Sequence, residues 1–282
     1  MNIKSLNIKG RLMLLHEPLV MGILNVTPDS FYEGSRFRSE QAIHERITGI
    51  LDEGGSIIDV GGYSSRPGAA DVSAGEEMQR LAPALELLKR HYPDVIVSVD
   101  TFRSEIARRA VEEYDVAIVN DISGGTLDPQ MFETVAQLQT PYILMHMRGT
   151  PQTMRQQVDY TDLMEEIMLY FAEKLRTLHL LGVNDLILDP GFGFGKTLAQ
   201  NYELMRSLPE FAMLELPLLV GVSRKRMIYE YLDTTVDESL NGTTVLNTYA
   251  LLNGADILRV HDVKAAVEAI KITNKLKPEK LC

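Results

Sequence analysis

The sequence predicts an α/β fold, a single (β/α)8 barrel with a short N-terminal β-hairpin, from three observations. Eight short apolar runs recur along the 282 residues, each followed by a Gly-rich or polar loop and a segment of helical period. The runs lack polar alternation, as is typical of parallel strands buried on both faces. No composition shift or linker divides the chain, and one TIM barrel takes about 250 residues. We predict one domain over 1–282, with the hairpin in 1–18 and the barrel from about 19 to 278.

The eight apolar runs are the predicted barrel strands. In chain order they are Val20–Leu24, Ile57–Val60, Val95–Val99, Ala117–Val119, Tyr142–Met145, Leu186–Leu188, Leu218–Val222 and Ile257–Val260. Before them, Ile3–Lys9 and Arg11–His16 flank Gly10 and are predicted to pair as the hairpin. A doubly wound open sheet is the alternative. It usually has fewer strands and a Gly-x-Gly-x-x-Gly turn after the first one, and this sequence lacks that turn.

Helices are predicted between the strands. Ser39 is the expected N-cap of a helix over Glu40–Glu53, which Gly54 and Gly55 terminate. The remaining predicted helices are Ala74–Tyr92, Ser104–Tyr114, Gln130–Gln139, Asp162–Leu181, Leu198–Leu208, Ser239–Asn253 and Val263–Lys277.

Composition limits the partners and the location of the chain. The 28 basic and 39 acidic residues give a formal net charge of −11, which argues against a nucleic-acid or anionic-membrane partner but leaves small anionic substrates open. A lone cysteine, Cys282, excludes an intrachain disulfide, as expected in a reducing cytoplasm. No signal-like region begins the chain, and no apolar run approaches the ~20 residues of a membrane span. We therefore expect a cytoplasmic protein.

Polar or ionisable residues follow nearly every predicted strand, at the end where barrels of this kind carry their active sites. They are Asn25, Ser64–Arg66, Asp100, Asn120, Met145–His146, Asp189, Ser223–Lys225 and Arg259–His261. A single Asp after a strand is more often a helix cap or a turn residue. The same feature repeated around the barrel predicts one convergent site.

Basic residues form one chemical set within this site. Arg66, Lys225, Arg259 and His261 supply positive charge or hydrogen-bond donors on an acidic chain. The last three follow strands 7 and 8, where barrels commonly bind phosphate, and the planar donor fork of Arg suits that ligand. The alternatives are salt bridges of Arg66 and Arg259 with nearby carboxylates, and a helix-capping role for His261.

Hydrogen-bond acceptors form the second set. Asp100, Asn120 and Asp189 follow strands 3, 4 and 6, and together they can recognise the donors and acceptors of a nitrogen-rich ring. An anion site beside such a pocket predicts a phosphorylated heterocycle as substrate. Asn25 beside a diphosphate could hold Mg²⁺, which prefers few protein ligands, although a lone Asn could equally be a turn residue.

A glycine-rich segment, Gly191–Thr197, invites comparison with a phosphate-binding loop. Walker A requires a Gly where this chain has Pro190, so that reading fails. We expect the glycines to permit a tight turn after strand 6, with Phe194 either facing a ligand or packed. No spacing of His and Cys predicts a zinc site, and no nucleophile elbow is present.

Taken together, the motifs resemble those of the dihydropteroate synthases, within the pterin-binding barrel family. The segments that carry the resemblance are Met21–Phe31, Asp59–Ala69, Ser98–Thr101, Asn120–Gly124, Met145–Gly149, Asp189–Lys196, Ser223–Lys225 and Arg259–Val263. They occur in order over nearly the whole chain. Each motif is moderately specific, and the set is very specific.

The resemblance implies the activity and the roles of the site residues. The reaction joins 6-hydroxymethyl-7,8-dihydropterin diphosphate to p-aminobenzoate and releases pyrophosphate, by dissociative loss of the diphosphate with Mg²⁺ as cofactor. It also implies a homodimer and a sulfonamide target. The pterin would be bound by Asp100, Asn120, Met145, Asp189, Phe194 and Lys225. The diphosphate would be bound by Asn25, Arg66, Arg259 and His261, with Asn25 on the metal. The p-aminobenzoate loops would present Phe31, Ser65, Arg66 and Pro67. Catalysis would fall to Lys225, Asp100, Arg259 and His261.

Two loops depart from the family pattern, and two other functions compete. The first loop reads Phe31-Tyr-Glu-Gly-Ser35, where Phe-Ser-Asp-Gly-Gly is commoner. Tyr63 and Ser65 stand where the family more often has Glu and Thr, which bears on p-aminobenzoate and sulfonamide binding. A methyltetrahydrofolate:corrinoid methyltransferase would read a similar ring but has no diphosphate to hold, so the basic motifs argue against it. A non-catalytic pterin-binding module is the other alternative, and the intact anion set argues against that.

Overall fold

The computed structural model describes residues 3–26, 36–64 and 72–276. The predicted loop residues Phe31, Ser65, Arg66 and Pro67 lie outside the described residues, and so does Cys282. Among the helices within these ranges, none is long and apolar enough to cross a membrane.

Eight parallel strands form the barrel, which confirms the predicted fold class. They are β3 (Leu19–Asn25), β4 (Ile57–Gly61), β5 (Ile96–Asp100), β6 (Ile118–Asp121), β7 (Tyr142–Met145), β8 (Leu186–Asp189), β9 (Leu219–Val220) and β10 (Ile257–Val260). Their order in the sheet is β8-β7-β6-β5-β4-β3-β10-β9. A parallel bridge between Leu188 and Leu218 joins the two outer strands and closes the barrel. Its backbone bond runs from the Leu188 N–H to the Pro217 carbonyl, 2.8 Å.

Helices follow the strands and cover the outside of the barrel. They are α1 (Arg36–Asp52), α2 (Ala74–His91), α3 (Ser104–Tyr114), α4 (Met131–Leu138), α5 (Leu163–Leu180), α6 (Leu198–Arg206), α7 (Arg226–Tyr229), α8 (Leu240–Leu252) and α9 (Val263–Leu276). The local sequence determines where several of these helices begin. Ser73 and Thr197 form capping boxes with Glu76 and Gln200, and these satisfy backbone N–H groups that the first helical turn leaves free.

The helices differ from the prediction mainly at three points. Ser39 is not the N-cap of α1, because the helix already begins at Arg36; Arg is a good helix former and can extend the helix upstream of Ser39. After α6 the chain continues as a 3-10 turn over Leu208–Leu214, where Pro209 starts a new turn at its first positions. The short α7 was not predicted, because four residues are too few to show helical periodicity.

The predicted hairpin is present and covers one end of the barrel. Strands β1 (Ser5–Ile8) and β2 (Arg11–Leu14) pair around a turn in which Lys9 and Gly10 have φ of 51° and 79°. Two central residues with positive φ are typical of the tight turns that connect hairpins. Leu6 of β1 is buried in an apolar cluster at the amino ends of the strands, with Met21, Leu15, Ile57, Ala117, Ile118, Ile143, Ile187, Leu219 and Ile257. With this end filled, the opposite end, formed by the carboxyl ends of the strands, is the one open to a ligand.

Candidate active site

A cavity of about 1030 Å³ opens at the carboxyl ends of the strands. Among the residues predicted for the site, those that line it include Asn25, Ser64, Asp100, Phe194, Ser223, Lys225, Arg259 and His261. Asn120, Met145 and Asp189 lie beside these residues, each almost fully buried. The structure therefore brings together every predicted site residue that it describes.

A buried cluster of ionic groups forms the floor of the cavity. Arg259 donates from Nε to Asp59 Oδ2 at 2.6 Å and from Nη2 to Asp100 Oδ2 at 2.7 Å. Asn120 Nδ2 donates to the same Asp59 oxygen at 3.1 Å. Arg259 thus makes the salt bridges that the sequence left as an alternative to diphosphate binding. It is a fixed positive group between two carboxylates, and it holds Asp100 and, through Asp59, Asn120.

Burial controls the charge state of this floor. It raises the pKa of Asp100 to about 7, with Arg259 opposing the rise and the nearby Asp59 carboxylate adding to it. Burial alone would lower the pKa of Arg259, but the Asp59 and Asp100 carboxylates raise it above its usual value. Arg259 is therefore permanently charged, whereas Asp100 changes charge near neutral pH.

The segment after β8 places an acceptor beside a sharp backbone turn. Asp189 Oδ1 accepts from the Gly191 N–H at 2.8 Å, and burial raises the pKa of Asp189 while Lys225 opposes the rise. Gly191 has a φ of 71°, and a Cβ there would lie 1.9 Å from the His146 carbonyl oxygen. Only glycine fits this turn without strain, as the sequence predicted for the segment.

Lys225, at the start of α7, rests on the same segment. Its Nζ donates to the Phe192 carbonyl and lies 4.7 Å from the centre of the Phe194 ring. Burial lowers the pKa of Lys225 to about 8, with the Asp189 carboxylate opposing the fall. The ammonium is therefore held by a carbonyl and an aromatic face at the cavity wall, within the electrostatic influence of Asp189.

His261 and Asn25 line the other side of the cavity. The His261 N–H donates to Ser223 Oγ at 3.1 Å, and its carbonyl accepts from Arg46 Nη2 at 2.7 Å. Burial, together with the charges of Arg259 and Arg46, lowers the pKa of the His261 imidazole to about 4. At neutral pH His261 is therefore an uncharged hydrogen-bonding group rather than a cation.

Comparison with protein families gives the decisive observation. A family model described as pterin binding enzyme matches residues 21–261. The chain belongs to the pterin-binding enzymes. It is 45% identical over 261 residues to a dihydropteroate synthase of Synechocystis sp., a match that covers 91% of this chain and 89% of the relative. It is 42% identical to the dihydropteroate synthase of Escherichia coli K12, covering 94% and 93%.

Solved structures of dihydropteroate synthases share the fold of this pterin-binding enzyme. The Yersinia pestis enzyme, in a complex with a sulfonamide drug, superposes with a TM-score of 0.88 at 39% identity and covers 97% of this chain and 100% of that one. The Xanthomonas albilineans enzyme with 4-aminobenzoic acid gives a TM-score of 0.88 at 35% identity and covers 98% of both chains.

Sequence reasoning missed three groups of this pterin-binding enzyme's cavity region. Asp59 was included in the apolar run Ile57–Val60 and was not predicted as a site residue. An aspartate inside a buried apolar strand is the feature that could have identified it. Lys196 was set aside with the failed phosphate-loop motif, yet it lines the cavity. Tyr63 was noted only as a departure from the family pattern. It also lines the cavity, and its hydroxyl accepts from Gln152 Nε2 at 3.0 Å.

Among the residues that the structure describes, Asn25 offers an amide oxygen to a metal on this side of the cavity. No group of three or more His, Cys, Asp or Glu able to hold a metal occurs among the residues that the structure describes. Asn25 lines the cavity with Asp100, and its Oδ1 lies close to Gly61. One amide oxygen suits Mg²⁺ only when a substrate diphosphate and water supply the other ligands, so the residues fit a substrate-borne metal.

Proposed function

We propose that this cavity joins 6-hydroxymethyl-7,8-dihydropterin diphosphate to p-aminobenzoate, giving 7,8-dihydropteroate and pyrophosphate. The chain is a transferase of folate biosynthesis, as its dihydropteroate synthase relatives are. The observation that carries this function is the pairing of buried acceptors on the cavity floor with Lys225 and His261 at its sides. Such a cavity can recognise a ring through hydrogen bonds to its edge, and it leaves the reacting carbon at the open end.

The pterin ring is recognised by the buried acceptors. Asp189 has one oxygen engaged by the Gly191 N–H, which leaves the second free to accept from the 2-amino group and a ring N–H. Asn120 is fixed by its donation to Asp59, so its amide oxygen faces a defined direction. Lys225 supplies a donor for the ring oxygen or nitrogen. Phe194 and Met145 belong to an apolar cluster that offers the ring a face to pack on.

The diphosphate binds on the Asn25 and His261 side. His261 donates from a neutral imidazole, and Arg66, which lies outside the described residues, adds positive charge in this proposal. Arg259 contributes its charge from the floor while remaining paired with Asp59. Mg²⁺ held by Asn25 and the diphosphate oxygens would supply neutralisation of the leaving group.

The chemistry needs no nucleophile from the protein. The bond between the pterin methylene carbon and the diphosphate oxygen breaks, the electron pair leaves with pyrophosphate, and the pterin ring delocalises the positive charge that remains on the carbon. The arylamine nitrogen then forms the new C–N bond and loses a proton. Basic groups around the cavity stabilise the departing charge. In this proposal, Phe31, Ser65, Arg66 and Pro67, which lie outside the described residues, would help to exclude water from the cation.

The p-aminobenzoate site lies at the cavity mouth, where Tyr63, Ser64 and Phe194 line the wall. A relative binds 4-aminobenzoic acid and another binds a sulfonamide drug, and we carry both ligands over to this chain. Tyr63 packs edge-on against Phe102 with 5.1 Å between ring centres, so an aromatic wall faces the arylamine.

The reaction is tested by mixing the protein with the pterin diphosphate, p-aminobenzoate and Mg²⁺ and measuring dihydropteroate and pyrophosphate together. Equal amounts of both products, dependent on all three additions, support the proposal. Pyrophosphate without dihydropteroate means that water intercepts the cation. Absence of both products rejects the assignment.

The pterin role of Asp189 is tested by Asp189→Ala. The ring donors would be left unpaired, at about 1–3 kcal/mol for each lost hydrogen bond, so pterin affinity falls by at least ten-fold in calorimetry. Asp94→Ala, which removes an exposed carboxylate from the loop before β5, is the matched control and keeps normal affinity. Normal pterin affinity in Asp189→Ala removes this residue from the site.

We further propose that the enzyme is a cytoplasmic homodimer. Exposed apolar side chains recur at helical spacing on two neighbouring helices, Val245, Tyr249 and Leu252 on α8 and Ile272 and Leu276 on α9. Burying such a face against a second copy removes apolar surface from water. Sedimentation equilibrium tests the dimer. A Val245→Glu variant that sediments as a monomer supports this surface, and one that stays dimeric rejects it.

A further inference from the structure

Lys196 is a buried ammonium whose hydrogen-bond partners are all uncharged. Its Nζ lies 3.0 Å from His146 Nδ1, 3.0 Å from the Gly191 carbonyl oxygen and 3.1 Å from the Phe194 carbonyl oxygen. The residue is 8% exposed. A buried lysine normally costs several kcal/mol unless a carboxylate pairs with it, so a reason for its position must be sought in what these partners do.

The side chain folds back across the loop Gly191–Gly195. Two of its three partners are carbonyls at the two ends of this loop, and the third belongs to the residue that follows β7. Lys196 therefore ties the ends of the loop to each other and to the neighbouring strand. A lysine at this point of a phosphate-binding loop would instead reach outward to the ligand.

Between the tied ends lie the groups that support Lys225. The Phe192 carbonyl accepts from Lys225 Nζ, and the Phe194 ring lies beneath the same ammonium. Both residues are inside the segment that Lys196 fixes. We infer that Lys196 is a positioning residue, which holds the glycine loop so that its Phe192 carbonyl and Phe194 ring place Lys225 for the pterin. This inference rests on the proposed function for the role of Lys225, but the fixing of the loop stands without it.

The arrangement keeps all three bonds in either charge state. Burial and the charges of Lys196 and Arg148 lower the pKa of His146 well below its usual value, so its imidazole is neutral and Nδ1 accepts from a charged Lys196. Burial also lowers the pKa of Lys196 to about 7, with Asp189 opposing the fall and Lys225 adding to it. A neutral Lys196 amine can still donate its two N–H groups to the two carbonyls while its lone pair accepts a hydrogen bond from the His146 Nδ1–H. The loop therefore stays tied on both sides of neutral pH.

The test compares Lys196→Met with a matched lysine outside the cavity. Lys174 on α5 is half-buried. Its Nζ lies 5.2 Å from the centre of the Phe132 ring and 5.7 Å from that of Tyr170, and neither ring belongs to the proposed site. Lys174→Met therefore controls for the general effect of losing a partly buried ammonium. Three quantities are measured in each variant: the melting temperature, deuterium uptake of peptides covering Gly191–Thr197, and pterin affinity by calorimetry.

We expect Lys196→Met to raise deuterium uptake in the loop and to weaken pterin binding by at least ten-fold, while Lys174→Met changes neither. The pH dependence gives a readout that loss of stability alone would not move. When the loop loosens, Lys225 loses the fixed Phe192 carbonyl and Phe194 ring that stabilise its charged form, so the basic limb of pterin binding, set by Lys225, shifts to lower pH. Unchanged loop uptake and unchanged pterin affinity in folded Lys196→Met overturn the inference, whatever its melting temperature.

Two further outcomes remain decisive. If Lys196→Met does not fold, Lys196→Gln is measured in its place, because Gln keeps an amide NH2 with two donors but lacks the charge and the third donor, and should still loosen the loop. If the unmodified protein binds no pterin, the proposed function fails. The deuterium uptake of the loop then still decides whether Lys196 holds it.

Discussion

Lys225→Met should raise the free energy of unfolding and abolish pterin binding, and the increase in stability should depend on pH. Burial lowers the pKa of Lys225 from 10.5 to about 8, which corresponds to roughly 3 kcal/mol at 1.36 kcal/mol per pKa unit. Because the side chain is partly open to the cavity, water screens part of this penalty, and we expect about 1–3 kcal/mol.

The sign follows from the two pKa values. Lys225 binds its proton less tightly in the folded chain than in the unfolded chain, so the charged side chain lowers the free energy of unfolding. This effect has its full size below pH 8. The penalty fades between pH 8 and pH 10.5 as the unfolded lysine also becomes neutral. Lys225→Met therefore stabilises the protein more at pH 7 than at pH 10, and the difference between the two pH values cancels any change in packing.

Urea denaturation of both proteins at pH 7, 8, 9 and 10 measures this difference, with Lys89→Met as the control for removing an exposed ammonium from the last turn of α2. The same Lys225→Met protein should lose pterin binding in calorimetry, since a gain in stability at the expense of function is typical of charged groups in active sites. A stability effect that is the same at pH 7 and pH 10 would refute the reasoning, because it would mean that Lys225 carries no burial penalty.

Two further substitutions test the cavity floor and the turn beside it. Gly191→Ala should lower the free energy of unfolding by at least about 2 kcal/mol in urea denaturation, because a Cβ would lie 1.9 Å from the His146 carbonyl oxygen at a φ of 71°; a smaller loss would show that the turn can relax. Asp59→Asn should weaken pterin binding in calorimetry by about 1–2 kcal/mol, because Asn120 and Arg259 lose their charged acceptor. Unchanged affinity would mean that Asp59 does not position them.

The barrel could be predicted because its strands are buried on both faces. Runs such as Tyr142–Met145 and Ile257–Val260 contain almost only apolar residues, and their predicted bounds match the structure. Boundaries set by local polar residues were less certain. Ser73 caps a helix, whereas Ser39 lies inside one. The difference follows the capping-box pattern, since Glu76 stands three residues after Ser73 and Ala42 three residues after Ser39.

The site could be predicted as a set of residues but not as a set of contacts. Position at the strand ends was enough to bring Asp100, Asn120 and Asp189 to one cavity. The partner of each side chain depends on distances across the barrel, which no local pattern contains. Arg259 was assigned to the diphosphate from its place after the last strand, and the structure shows it held by Asp59, 200 positions earlier in the chain.

The two carboxylates on Arg259 are not equivalent, and this difference indicates how a substrate enters the floor of the cavity. Asp59 is fully buried and holds Nε, whereas the Asp100 side chain is 19% exposed, lines the cavity and holds Nη2. A ring donor can therefore reach Asp100 but not Asp59. Under the proposed function, a pterin that took over part of Asp100 would leave Arg259 bonded to Asp59, with Nη2 able to turn toward the departing diphosphate. The ion pair that first argued against an anion-binding role for Arg259 is thus the arrangement that would keep its charge in place until the substrate arrives.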